Sequence, residues 1–313
     1  MDLSVIVVVY DMAREIPRTL QGLSRSYQEN CEDLSYEVLV IDNGSPNPVD
    51  ESVITAAGPE FKYHRLENPP PSPAYALNYG AEHARGDTLC FMVDGAHLLT
   101  PGAFYKALGA RRALTNAVVM VRYFYLGPGQ QNETIQQGYG KAFEDELLQD
   151  IDWPNDGYRL FEVGSPLVYK HFPTVTWFYK PLESNCLFMS ARHFRDIGGA
   201  DERFDIPGGG FMNLDLFKRA CDGGNATPVM LIGEGSFHQL HGGTTTNIAS
   251  DDQDQLVEKY KQQYREICGE DLTGVDRELF FFGHMPTEAS KIHKGAGAGA
   301  LARAVAREKA ESQ

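Results

Sequence analysis

The feature that most narrows the fold is a series of short apolar runs, each ending in a polar turn and separated from the next by helix-patterned sequence. Ser4 to Val9 reads Ser-Val-Ile-Val-Val-Val. A β-branched run this unbroken fits a strand buried on both faces, as in a parallel sheet. Tyr36 to Ile41, Phe61 to Leu66, and Thr88 to Val93 continue the series. Between them, Ile16, Leu20 and Leu23 recur at spacings of four and three and predict a helix over 16–24. Tyr75 to Ala84 reads as a second helix, stopped by Arg85-Gly86-Asp87. This alternation predicts right-handed βαβ crossovers and an α/β fold with a mostly parallel sheet flanked by helices. Ligands of such sheets sit beyond the carboxyl ends of the strands. Asp42 and Asp94 both stand at such ends.

The remainder is less regular. Thr100 as N-cap and Pro101 at the first helical position predict a helix to about Leu114. Ala117 to Leu126 reads as a strand, Gly127 to Glu133 as a mobile loop, and Gly138 to Leu148 as a helix. Trp153 to Lys180 is rich in aromatics and prolines, and Trp153, Trp177, Phe178 and Tyr179 are read either as a sugar-stacking platform or as core. Strands are expected at Asn185 to Met189 and Val229 to Ile232, and helices at Leu214 to Ala220 and Asp251 to Ile267. Gly233 to Thr246 carries His238 and His241. The expected organisation is a domain over 1–250, a helical extension over 251–288, and a flexible Ala/Gly-rich tail over 289–313 without chemistry.

Charge and cysteine content restrict function. Lys and Arg total 28 against 43 Asp and Glu, a formal net charge of -15. So acidic a chain is a poor general binder of nucleic acid, which needs a positive surface. A nucleoside diphosphate can still bind locally where a metal ion or helix N-termini offset the charge. The five cysteines form no C-x-x-C pair, and a reducing compartment is expected. No apolar stretch approaches the roughly 20 residues that span a bilayer. The expectation is a cytoplasmic protein, with peripheral membrane contact left open.

Three common α/β motifs are missing. The first strand exits into Tyr10-Asp11-Met12-Ala13-Arg14, without the glycines of a dinucleotide fingerprint. A P-loop and a Gly-x-Ser-x-Gly elbow are likewise absent from the sequence. A nucleotidyltransferase would need a Gly-rich basic loop at the same place, and Ala13-Arg14 is a poor match.

What the chain does have is an ordered set of strand-end motifs. Tyr10-Asp11 is followed by Asp42-Asn43-Gly44-Ser45, then by Asn78-Tyr79-Gly80 with Ala84-Arg85-Gly86-Asp87, then by Asp94-Gly95-Ala96-His97. This order resembles the N-terminal half of the family 2 glycosyltransferases, over roughly residues 1 to 250. The resemblance implies a GT-A fold and transfer of a sugar from a nucleotide-sugar donor to the hydroxyl of a glycan or other acceptor. It places Tyr10, Asp11, Asp42, Asn43, Asn78, Asp94 and Gly95 on the donor side, with Asp42 holding the base. It implies a divalent metal, Mn²⁺ or Mg²⁺, at Asp94, with His97, His238 and His241 as further ligand candidates. The resemblance also implies inversion at the anomeric carbon and a role in surface or extracellular polysaccharide or glycoconjugate synthesis.

Two positions depart from the family pattern. Its second metal-motif acid falls at Ala96, which cannot ligate, so His97 is the next candidate and suits Mn²⁺ better than Mg²⁺. Gly198-Gly199-Ala200-Asp201-Glu202 looks like the acceptor-side segment, to which Asn185 is also assigned, but Asn213 then occupies the place of the catalytic base. An amide cannot take a proton. Either Asp215 or Glu183 supplies the base, or the chain binds a nucleotide-sugar without turning it over. A subset of these transferases shares Asp-Gly-Ala, Glu-Ser-Asn, Gly-Gly-Gly-x-x-Asn-Leu-Asp and Phe-His-Gln-x-His-Gly-Gly, and the chain is similar to it at 94–96, 183–185, 208–215 and 237–243. In an extended segment His238 and His241 would face opposite ways, so one of them is expected at the donor and the other under the loop.

Overall fold

A computed structural model describes residues 1–167, 176–242 and 250–290. The predicted tail from residue 291 on, and parts of the aromatic-rich and glycine-rich segments, lie outside the described residues.

The strands are β1 (Leu3–Val9), β2 (Tyr36–Asp42), β3 (Phe61–Arg65), β4 (Thr88–Met92), β5 (His97–Leu99), β6 (Ala117–Leu126), β7 (Gly164–Pro166), β8 (Leu187–Ser190), β9 (Thr227–His238) and β10 (Phe280–Gly283). They form one ten-stranded sheet in the order β10-β9-β6-β8-β4-β1-β2-β3, with β5 on β9 and β7 on β6. The pairs β1/β2, β1/β4 and β2/β3 are parallel, and β8 runs antiparallel between β4 and β6. The helices are α1 (Ile16–Leu23), α2 (Glu51–Ala56), α3 (Ala74–His83), α4 (Ala103–Ala113), α5 (Gln131–Thr134), α6 (Lys141–Asp150), α7 (Leu160–Val163), α8 (Ala191–Asp196), α9 (Met212–Asp222), α10 (Ser250–Cys268) and α11 (Thr287–Ser290).

β1, β2 and β4 are buried along their whole length, as their β-branched runs demand. Alternate residues of each strand feed two apolar layers: Ile6, Ile41 and Phe91 on one face, Val5, Val40 and Cys90 on the other. Because β2 and β4 flank β1 on opposite sides, the strand order reverses at β1, and a crevice opens beyond the carboxyl ends there.

Four details differ from the sequence reading. β9 runs from Thr227 to His238, far beyond the expected Ile232. Gly235 within it serves close packing: a Cβ there would lie 2.7 Å from the Phe237 ring. The helix expected from Thr100 begins at Ala103, because the Thr100 hydroxyl is engaged by buried Glu234 rather than capping. The expected mobile loop 127–133 runs into α5, whose first residue, Gln131, is fully buried. The C-terminal segment is not helical throughout, since β10 adds a parallel edge strand beside β9.

Candidate functional site

The site grows from the turn after β4. Asp94 is held there by a reciprocal clasp: its N–H donates to Asn185 Oδ1 at 2.7 Å, and Asn185 Nδ2 donates to its carbonyl at 2.8 Å. Asp94 Oδ1 accepts the N–H of Ala96 at 2.8 Å, closing the turn. Gly95 packs against β1 so tightly that a Cβ would lie 2.7 Å from both the Val8 carbonyl and the Val9 side chain. Oδ2 is left to face the histidines.

β5 starts at His97, which pairs directly with His238 across the β5/β9 ladder. The chain then leaves β9, steered by Gln239 N–H to the Ala96 carbonyl (2.7 Å) and Leu240 N–H to Glu144 Oε2 (2.6 Å). This bend corrects the expectation that the two histidines face opposite ways, since 238–241 is not extended. His241 Nε2 lies 3.0 Å from Asp94 Oδ2, His238 Nε2 lies 3.3 Å from it, and the two Nε2 atoms are 2.9 Å apart. His97 is fully buried; its Nδ1 meets Ser236 Oγ at 2.8 Å, and its Nε2 has no hydrogen-bond partner among the described residues. Donor atoms of Asp94, His97 and His238 lie within 4.8 Å of one another. Tyr123 stacks on His238 and meets His97 edge-on.

The electrostatics follow from burial and pairing. Burial drives His97 well below the usual histidine range and lowers His238 as well, so both imidazoles are neutral near pH 7. Burial also works to lower His241, but the Asp94 carboxylate beside it prevails and raises it. Burial works to raise Asp94, and the neighbouring His241 and His238 bring it well below the carboxylate range instead. One carboxylate oxygen and two imidazole nitrogens about 3 Å apart match the spacing of adjacent ligands around one ion with bonds of about 2.1 Å. His97 Nε2, without a hydrogen-bond partner among the described residues, adds a third nitrogen at the margin. These residues fit a divalent cation, and imidazole-rich sets favour Mn²⁺ over Mg²⁺. Ala96 contributes nothing, because its side chain is buried in the apolar layer beneath.

Asp94, His238 and His241 open into a cleft of about 1000 Å³. Tyr10, Met12, Asn43, Gly44 and Arg65 line its β1–β3 end; Glu183, Asn185, Phe211, Asn213 and Tyr260 line the other. Asn213 Nδ2 donates to Glu183 Oε2 at 2.8 Å.

Several predicted site residues do not reach this cleft. Asp215 sits about 200° around α9 from Asn213. It is buried and pairs with Arg219 at 2.6 Å. Asp42 is fully buried, its oxygens accepting from Ser45 N–H and Tyr63 O–H, both at 2.7 Å. It shapes the loop, while its neighbours Asn43 and Gly44 line the cleft. Asn78 clasps Ala200 through both its amide atoms and also bonds Glu202, and Asp201 pairs with Arg203; all line a separate shallow depression. Asp11 has a left-handed backbone (φ 55°) and is held by Ser45 and Asn47. Trp177 is buried, its Nε1 donating to the Glu234 carbonyl; Trp153 is half-buried and donates to Tyr27 Oη; neither lines the cleft, so they form no stacking platform there. Sequence reasoning missed Tyr123, Arg65 and Gln131; Tyr123 falls in a strand where nothing marks the cleft-facing side.

A mostly parallel sheet with an acid-and-histidine cluster beyond the ends of its central strands is the GT-A glycosyltransferase arrangement. Residues 4–162 match the profile of Glycosyl transferase family 2, which is half of the chain, and the chain belongs to that family. No curated protein matches the sequence. In structure the chain is similar to TarS of S. aureus: 12% identity, TM-score 0.52, covering 85% of this chain and 44% of that one. It is also similar to TarS 1-349 in complex with UDP-GlcNAc (12%, TM-score 0.51, 89% of this chain and 68% of that one) and with UDP (12%, 0.50, 85% and 72%). The chain thus spans less than half the length of the longer TarS chain. At this identity the likeness carries the fold, and the profile match carries the family membership.

Proposed function

We propose that the chain transfers a sugar from a nucleoside-diphosphate sugar to an acceptor hydroxyl, with a divalent cation held by Asp94, His238 and His241 and with Glu183 as general base. The observation that carries this reading is the convergence of Asp94 Oδ2 and two imidazole nitrogens in the same cleft as Glu183. Asn43, Gly44, Tyr10 and Arg65 receive the nucleotide, and Glu183, Asn213, Phe211 and Tyr260 face the acceptor. The cation would neutralise charge on the diphosphate leaving group. Glu183 accepts the proton of the attacking hydroxyl as its oxygen bonds to the anomeric carbon. Asn213, at the family's base position, orients that carboxylate instead of replacing it. Attack from the face opposite the leaving group inverts the anomeric centre.

TarS is solved with UDP and UDP-GlcNAc, so uridine nucleotide-sugars are the first donors to test here. We read 1–250 as the catalytic domain and 251–288 as an extension built onto it. The five free cysteines suit a reducing, cytoplasmic setting. No described helix is long and apolar enough to cross a membrane. Asn213 also favours a second reading, a nucleotide-sugar-binding protein without turnover. A panel of nucleotide-sugars incubated with Mn²⁺, with nucleotide release measured for wild type and Glu183→Gln, separates the two. Release by wild type that is lost in Glu183→Gln supports the transferase with Glu183 as base. Tight binding without release supports the second reading.

A further inference from the structure

We propose that Gln131 is a positioning residue that fixes His238 in its Nδ1–H tautomer and so presents a bare Nε2 to Asp94 and His241; this rests on reading that cluster as a cation site. Gln131 is fully buried at the start of α5 and grips His238 twice. Its Nε2 donates to the His238 carbonyl at 3.0 Å, and its Oε1 lies 2.7 Å from His238 Nδ1. A backbone carbonyl only accepts, so the amide nitrogen must face it, and the orientation of Gln131 is settled. The amide oxygen likewise only accepts, so Nδ1 must carry a hydrogen. A neutral imidazole protonated on Nδ1 has its lone pair on Nε2. That Nε2 is the atom 2.9 Å from His241 Nε2 and 3.3 Å from Asp94 Oδ2.

With His238 Nε2 and Asp94 Oδ2 both acceptors, the hydrogen between the three atoms belongs to His241. An alternative His238 tautomer would place a hydrogen where an ion must bond. Gln131 thus does for His238 what an outer-sphere carbonyl or carboxylate does for a metal-bound imidazole: it sets the ring's orientation and strengthens its donor atom. Loss of such a partner typically weakens metal binding by about 10–100-fold.

The test uses the full chain with ¹⁵N-labelled histidine, without added metal, and compares wild type, Gln131→Leu and Gln131→Glu. Long-range ¹H–¹⁵N spectra read the His238 tautomer, and electron paramagnetic resonance reads Mn²⁺ affinity, with melting temperature as a folding control. The expected result is Nδ1–H in wild type, and a lost tautomer preference with about 10–100-fold weaker Mn²⁺ binding in Gln131→Leu. Gln131→Glu, which still accepts from Nδ1–H, retains most of the affinity. A wild-type Nε2–H tautomer, or Gln131→Glu as weak as Gln131→Leu, overturns the proposal. If wild type binds Mn²⁺ and Gln131→Leu binds it equally well, the positioning role alone falls. If wild type takes no Mn²⁺, the cation reading falls and takes this proposal with it.

Discussion

Asn213 Nδ2 donates to Glu183 Oε2 at 2.8 Å, joining the N-terminal turn of α9 to the segment that leads into β8. The residue that the sequence resemblance places at the base position is therefore the hydrogen-bond partner of the Glu183 carboxylate, and both line the same end of the cleft. Glu183→Gln is expected to lower kcat by about 10²–10⁴ with a smaller change in KM. Steady-state kinetics on the two proteins checks this; an unchanged kcat removes Glu183 as base.

Asp215 gives the opposite expectation. Its carboxylate pairs with Arg219, which also donates to the carbonyls of Ile197 and Gly199. Asp215→Asn should lower stability by about 1–2 kcal/mol, discounted for the part of Arg219 that meets solvent. Its kcat should stay within a few-fold of wild type. Urea denaturation alongside the same kinetic assay reads both quantities.

Mn²⁺ affinity should rise with pH. The raised pKa of His241 keeps a proton on its ring where an ordinary histidine has begun to lose it. That proton and the ion compete for one seat, so binding tightens as pH climbs through the raised value and levels off above it. Below that value the change approaches about tenfold per pH unit. Calorimetry in buffers of different ionisation enthalpy should also show a proton released on binding.

Acid stability should depend on Glu37. Burial works to raise its pKa, but hydrogen bonds from Arg85, Lys62 and Ser4 prevail and bring it down to about 2. A depressed carboxylate binds fewer protons folded than unfolded, so its stabilisation is present above about pH 4.5 and is lost as pH falls toward 2. Lys62 and Arg85 are partly exposed, which reduces the contribution to about 1–2 kcal/mol. Glu37→Gln should lower the melting temperature at pH 7 and narrow the gap from wild type as pH drops through that window.

Gly95→Ala should cost about 1–3 kcal/mol, because its Cβ would collide with the Val8 carbonyl. The same collision displaces the turn that carries Asp94, so Mn²⁺ affinity should fall with it. A stable Gly95→Ala protein with wild-type affinity would show that the turn can shift without moving the carboxylate.

Much of this architecture is readable from the chain because continuous β-branched runs have few other ways to be buried. β1, β2 and β6 fall within a residue of the expected bounds. The strand-end motifs singled out Asp94, and the resemblance to a family subset singled out Glu183, His238 and His241; all four line the cleft. The motif order did not separate residues that face the cleft from residues that build it. Asp42 and Asn78 stand where the pattern puts donor contacts, yet their side chains are spent on Ser45, Tyr63, Ala200 and Glu202. Convergence of His238 and His241 depends on the chain turning after β9, which is set by Ala96 and Glu144, distant in sequence. Gln131 had no local signal, because its partner is 107 residues away.

The most direct test of the central claim is calorimetric titration of UDP and UDP-GlcNAc into wild type and Asp94→Ala, each with and without Mn²⁺. The account predicts that wild type binds at least one of them far more tightly with Mn²⁺ than without it. In Asp94→Ala that Mn²⁺ dependence should disappear while the protein stays folded. Equal affinity with and without the ion in wild type, or Mn²⁺-dependent binding that survives in Asp94→Ala, would contradict it.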